Sequence, residues 1–174
     1  MQKPHPRLWP VLVVLLSLLA AWAIFNVYLY EPNRHMYAFG GDALMHYYDI
    51  VYHVTHDHGT TLGGMNYPYG EYVFLTDAQG AVSTVLQWIN HHVADIHPYV
   101  LGILHSLNIY LLPLCSLFVF YILRFFQVRM LTSVLFAVLI TFLSPAMLRF
   151  GAHFGLAYPF VIPMAMLWYL RKTK

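Results

Sequence analysis

Between Leu8 and Tyr30 the chain carries no charged residue. A helix needs about 20 mostly apolar residues to cross the hydrocarbon of a bilayer, and this run supplies them. Three further apolar runs follow, Pro98–Phe125, Met130–Phe150 and Phe154–Leu170, with arginines only near their ends. The pattern predicts an all-α integral membrane protein with about four transmembrane helices. The 174 residues are 60% hydrophobic and only 9% charged, which lies outside the range of soluble domains. Phe154–Leu170 is short and carries Pro159 and Pro163, so a re-entrant hairpin is the alternative there. Ala21-Trp22-Ala23 resembles a signal cleavage site, but the apolar character continues to Tyr30, which makes the first span an uncleaved anchor.

Orientation follows from the basic residues. Lys3 and Arg7 precede the first span, Arg124 and Arg129 separate the second from the third, and Arg171, Lys172 and Lys174 follow the fourth. Seven of the nine lysines and arginines thus lie on one side, with Arg34 and Arg149 on the other. The positive-inside rule places both termini in the cytoplasm, and a bacterial inner (plasma) membrane is the expected location. The net charge of +2 is spread along the chain without a basic patch, so nucleic acid is not an expected partner. The single cysteine, Cys115, sits in an apolar run and has no intrachain partner for a disulfide.

Three regions result: residues 1–30 hold the N-terminus and first span, 31–97 form a large outer loop, and 98–174 hold the remaining spans and a basic tail. All seven acidic residues (Glu31, Asp42, Asp49, Asp57, Glu71, Asp77 and Asp95) fall in the loop, as do eight of the eleven histidines. Chemistry, if the chain performs any, belongs there. Gly40-Gly41 gives a turn, and Asp42 is placed to cap a helix running to about His58, where Gly59 stops it. Asp42, His46, Asp49, His53 and His56 or Asp57 recur every three or four residues and share one face, expected to be wet. Leu44, Tyr47, Tyr48, Val51 and Val54 lie opposite, suited to a membrane surface. Gly63 to Gly70 is too rich in helix breakers to be other than loop or turns. Thr76-Asp77-Ala78-Gln79 has capping-box spacing and predicts a second interfacial helix, Ala78–Val93, with Val82, Val85, Leu86, Ile89 and Val93 on its apolar side. In the second span, His105 and Asn108 are expected to hydrogen-bond between helices.

A carboxylate at Asp42, just outside the first span, suits a general base or a metal ligand acting on a lipid whose head group lies at the bilayer surface. Helix capping alone also accounts for it. Asp42, His46 and Asp49 are the candidate ligands of a divalent metal ion, and His46, His53 and His56 could also converge with Asp49 on zinc or copper. No His-Glu-x-x-His motif is present.

A first span, Gly41-Asp42 opening an outer loop, a helix parallel to the membrane, Asn66-Tyr67-Pro68-Tyr69-Gly70-Glu71, and closely spaced later spans together resemble the N-terminal part of multi-spanning membrane glycosyltransferases of the GT-C class. Gly151-Ala152-His153-Phe154-Gly155-Leu156-Ala157-Tyr158 through Ile162-Pro163 also looks like a stretch of bacterial membrane proteins of this type. The resemblance implies transfer of a sugar from a polyprenyl-phosphate donor to an acceptor on the outer face. Asp42 would then match the loop aspartate that deprotonates the acceptor or helps hold a divalent cation. Charge and topology add Arg149 and His153 as candidates for the donor phosphate, because a fork of donors suits phosphate oxygens. Glu71 and Asp77 are candidates for sugar or metal contacts. Members of the class usually carry many more spans, so a four-span chain is expected to be part of a larger transferase, with further transmembrane segments or a partner subunit. The alternatives are a small non-catalytic membrane subunit and a protein with a histidine-rich metal-binding loop.

Overall fold

The computed structural model describes residues 8–151, 153 and 158–173. Six α-helices appear among them: α1 (Leu8–Tyr30), α2 (Asp42–His56), α3 (Gly80–His92), α4 (Val100–Phe125), α5 (Met130–Phe142) and α6 (Val161–Lys172). Two-residue strands β1 (Thr61–Leu62) and β2 (Glu71–Tyr72) pair antiparallel, Thr61 opposite Tyr72 and Leu62 opposite Glu71. The segment read from sequence as loop therefore closes into a small hairpin. Short 3-10 turns cover Val73–Leu75, His97–Tyr99 and Pro145–Gly151.

Three helical stretches are long and apolar enough to cross a membrane: Leu8–Tyr30, His97–Phe125 and Met130–Phe150. They mark the chain as an integral membrane protein. The fourth expected span falls partly on residues 154–157, which lie outside the described residues. Its described helix, α6, has 12 residues. At 1.5 Å per residue that is roughly 18 Å, well short of a hydrocarbon core of about 30 Å.

The described residues form two compact units. One contains α1 as far as Asn26, α4 from Leu107, α5 and α6; the other contains Val27–Ser106 together with Arg149 and His153. In the first, Val13, Cys115, Val119, Phe120, Val134 and Ala137 form a buried cluster, with Trp9, Leu16, Met130 and Phe160 packed around it. Leu8, Val11, Leu15, Leu19, Leu131, Leu135 and Phe136 stay exposed, as side chains that meet lipid should. Ser133 and Thr141 hand their hydroxyl protons back to carbonyls one turn earlier, Arg129 and Ala137, which satisfies them within their own helix. Asn108 differs from expectation. It is fully buried, yet neither its amide oxygen nor its amide nitrogen has a hydrogen-bond partner among the described residues.

The second unit is built on α2 against α3. Here the faces are only partly as expected: Asp42 and His56 are exposed and Tyr47 and Val54 buried, but other positions differ. His46, Asp49 and His53, expected to be wet, are buried with Ala43, Tyr47, Ile50 and Val54. Leu44 and Tyr48 from the apolar face are exposed. On α3 the buried residues are Gly80, Ser83, Leu86 and Gln87, whereas Val85 and Trp88 are exposed. Polar side chains of α3 bind the backbone of α2 and of the turn after it, which draws this face of α2 inward. The Gln87 amide donates to the His53 carbonyl at 3.3 Å, its oxygen accepts from the Gly59 N–H at 3.0 Å, and Asn90 donates to the Val54 carbonyl at 3.2 Å. These bonds satisfy buried backbone groups, whereas Asp49 Oδ1 and His53 Nδ1 have no hydrogen-bond partner among the described residues.

Helix boundaries shift too. Asp42 is the first residue of α2, not its cap; Gly41 holds that place, and no side chain caps the helix. At Gly41 φ is +54°, a backbone region closed to most side chains, which is why a glycine stands there. The C-terminal end comes at His56, with Asp57 extended, rather than at Gly59. Thr76 does accept from the Ala78 N–H at 3.2 Å, but Gln79 turns left-handed (φ +49°), so α3 begins at Gly80 and ends at His92. Gly80 is needed for closeness: a Cβ there would lie 2.9 Å from the Phe74 ring.

His105 anchors the unit at the start of α4. Its Nδ1–H donates to the Pro32 carbonyl at 2.8 Å, and its Nε2 accepts from the Tyr47 hydroxyl at 2.8 Å. Tyr47 in turn accepts from the Tyr37 N–H at 3.0 Å. His105 thus ties α4 to α2 and to the residues after α1, while Gly102 N–H donates to the Asn33 side chain at 2.7 Å.

Candidate functional site

The head of α2 collects most of the titratable residues singled out in the sequence. Asp42 begins the helix with its side chain 62% exposed, and its Oδ2 lies 3.3 Å from His153 Nε2. His153 Nδ1 lies 3.5 Å from Nε2 of His46, whose ring meets it edge to face. His46 is one turn further along α2, is 1% exposed, and places Nδ1 2.9 Å from the Asp77 carbonyl oxygen. The Asp77 carboxylate is 3.9 Å from His46 Nε2 and more than half exposed. Asp42, His153, His46 and Asp77 thus form a connected chain although His46 and His153 are 107 residues apart in sequence.

A carbonyl oxygen only accepts, so the contact with Asp77 requires the proton of neutral His46 to sit on Nδ1. His46 Nε2 is then an acceptor, and the matching donor is His153 Nδ1–H. His153 Nε2 is left facing the Asp42 carboxylate. One mobile proton on that line completes the arrangement, and the outward oxygen of Asp42 is available to solvent or substrate.

Asp49 lies one turn beyond His46 and is 1% exposed, with its Oδ1 lacking a hydrogen-bond partner among the described residues. Burial pushes its carboxyl up to about 6, reinforced by the negative charges of Asp77 and Glu71 and opposed by His46. Glu71, on β2, accepts from the Asn66 amide at 3.0 Å. That bond steadies the turn Asn66–Gly70, in which the Tyr69 and Gly70 N–H groups both point to the Asn66 carbonyl. Arg149 lies in the 3-10 turn before His153, is exposed, and forms no ion pair among the described residues. Of the residues proposed for phosphate, His153 therefore joins the Asp42 chain and Arg149 does not.

Among the described residues Asp42, His46 and Asp49 are not gathered into a metal-ligand cluster. His153 stands between the first two, the Asp77 carbonyl occupies His46 Nδ1, and among the described residues no group of three or more His, Cys, Asp or Glu side chains is placed to hold a metal. The other histidines are engaged elsewhere. His53 Nδ1 faces Asp57 at 3.5 Å and burial lowers its affinity for a proton, His56 stacks on Tyr52, and His58 packs against His91.

No family model, curated protein or solved structure matches this chain. The site is accordingly read from its own geometry. Sequence spacing alone marked the α2 stripe as one face, but it carried no sign that His153 completes it, because nothing in a helical period reaches across 107 residues. The role of the Asp77 backbone, rather than its carboxylate, was equally invisible.

On its other side α2 borders an apolar groove of roughly 550 Å³, lined by Met36, Leu44, Tyr48, Val51, Tyr52 and Leu101 among others. Leu101 belongs to the first turn of α4. The same helix thus presents acid–base groups on one face and a lipid-compatible surface on the other.

Proposed function

We propose that the chain belongs to a membrane glycosyltransferase that moves a sugar from a polyprenyl-phosphate donor to an acceptor hydroxyl at the extracytoplasmic face. The observation that carries this reading is Asp42: an exposed carboxylate at the head of a helix, beside His153, just past a span-length apolar helix. In the reaction, the acceptor O–H gives its proton to Asp42 while its oxygen forms a bond to the anomeric carbon of the sugar. The bond from that carbon to the phosphate oxygen breaks, and the polyprenyl phosphate leaves with the electron pair. Arg149, exposed and without an ion pair among the described residues, is the cation for the departing phosphate. Both termini face the cytoplasm of a bacterial inner membrane, about four segments cross it, and α2 and α3 lie in the interface. Further spans or a partner subunit supply the rest of the donor site. The groove along α2 suits an apolar chain, which agrees with a lipid-borne donor.

The test uses the full chain in lipid nanodiscs, supplied with a panel of radiolabelled polyprenyl-phosphate sugars and membrane acceptors. Transfer by the wild type that falls at least about a hundredfold in Asp42→Asn supports the reading, since a positioned base contributes that much. Equal transfer by wild type and Asp42→Asn refutes it, as does the absence of transfer to any acceptor when its partner spans are present.

A further inference from the structure

We infer that His46 is a positioning residue that fixes the tautomer of His153, and so directs the Nε2 of His153 at Asp42. This inference builds on the reading of Asp42 as a base, but its decisive measurement does not depend on that reading.

The Asp77 carbonyl lies 2.9 Å from His46 Nδ1 and compels a proton there. His46 is 1% exposed, so no water competes for the bond. With Nδ1 protonated, Nε2 of neutral His46 offers a lone pair, and the atom facing it is Nδ1 of His153 at 3.5 Å. His153 therefore donates from Nδ1 and turns Nε2 to Asp42 Oδ2 at 3.3 Å. The mobile proton of the pair is thereby confined to the line between Nε2 and Oδ2, beside the carboxylate that takes the acceptor's proton. Without His46, either nitrogen of His153 can carry the proton and the ring can turn away from Asp42. The Asp77 carboxylate lies 3.9 Å from Nε2 of His46 and draws a proton to that nitrogen, but at 2.9 Å the Asp77 carbonyl is the closer partner and holds it on Nδ1. Asp77 acts here through its carbonyl, so its side chain is dispensable for the tautomer.

The inference is tested by nitrogen NMR of histidine-labelled full chain in lipid nanodiscs, with tautomers read from the imidazole nitrogen shifts. The expected wild-type result is a solvent-protected Nδ1–H on His46 and an Nδ1–H on His153, with the mobile proton lying between His153 Nε2 and Asp42. Asp77→Asn leaves both in place. His46→Gln, whose amide oxygen can accept from His153, keeps the His153 tautomer, whereas His46→Phe releases it to a mixture. In a working transfer assay, His46→Phe lowers turnover by about tenfold to a hundredfold and alters the pH profile, and His46→Gln restores most of it. A wild-type His46 protonated on Nε2 overturns the inference outright, even if the Phe variant fails to fold. An unchanged His153 tautomer in a folded His46→Phe overturns it as well. Expected tautomers in a chain that transfers no sugar leave the inference standing and remove the transferase reading.

Discussion

Replacing Asp49 with asparagine should stabilise the outer unit at neutral pH. In the folded chain burial raises the Asp49 carboxyl from 3.8 to about 6. For an acid whose folded value lies above its unfolded one, ionisation favours unfolding. Stability is greatest below 3.8, falls as the pH rises from there to 6, and stays reduced above that. Two units correspond to about 3 kcal/mol, the full penalty at pH 7.5. Between pH 5 and 7.5 the remaining part of that loss is about 1.4 kcal/mol, or tenfold in the opening equilibrium. Asparagine keeps the shape, carries no charge, and must satisfy an amide instead, so a net gain of about 1–3 kcal/mol is expected at pH 7.5. His53 works in the opposite sense. Burial lowers its proton affinity, so its contribution is present above 6.5 and declines as the pH falls below that value. Comparing variant with wild type at each pH cancels this term. The assay is hydrogen exchange of the α2 amides in nanodiscs at pH 5 and 7.5, corrected for intrinsic exchange. Relative to Asp49→Asn, wild-type protection should drop about tenfold between the two pH values. Parallel behaviour of the two proteins, or weaker protection of the variant at pH 7.5, would refute the argument that a buried charge burdens this helix.

Two other substitutions probe the same unit. Gly80→Ala would push a methyl group to 2.9 Å from the Phe74 ring and 3.0 Å from its Cα. Overpacking of this kind costs about 1–3 kcal/mol, and exchange across α3 should accelerate accordingly. Tyr47→Phe removes the hydroxyl that joins the Tyr37 N–H to His105 Nε2, leaving both without that partner. A loss of about 1–3 kcal/mol in the protection of α2, with the helix content of the long apolar helices unchanged by circular dichroism, is the expected outcome.

The apolar helices were legible because a span is a property of one segment: length and lack of charge suffice, and partners hardly enter. The start of α2 was legible for a similar reason, since Gly40-Gly41-Asp42 announces a turn and a helix locally. The faces were legible only in part. A period of three to four says that Asp42, His46, Asp49 and His53 lie together, but whether they meet water or protein depends on what stands opposite. Gln87 and Asn90 of α3 stand opposite and bind the α2 backbone, and the Asp77 carbonyl receives His46, which draws the stripe into the interior. Asp42 and His153 show the same limit at the candidate site. Charge and topology put both on one side of the membrane, yet only tertiary structure brings them to 3.3 Å. The β1–β2 hairpin escaped notice because two residues per strand are too few to show a period of two.

The packing of α2 has a consequence for variation. In an ordinary surface helix the apolar positions tolerate little and the polar ones drift freely. Here Leu44 and Tyr48 are 44% and 52% exposed, whereas His46, Asp49 and His53 are at most 1% exposed. A library randomised along this helix should accept many residues at Leu44 and Tyr48 and very few at His46, Asp49 and His53 or at the buried Ala43, Tyr47, Ile50 and Val54, so that hydropathy alone does not rank the positions.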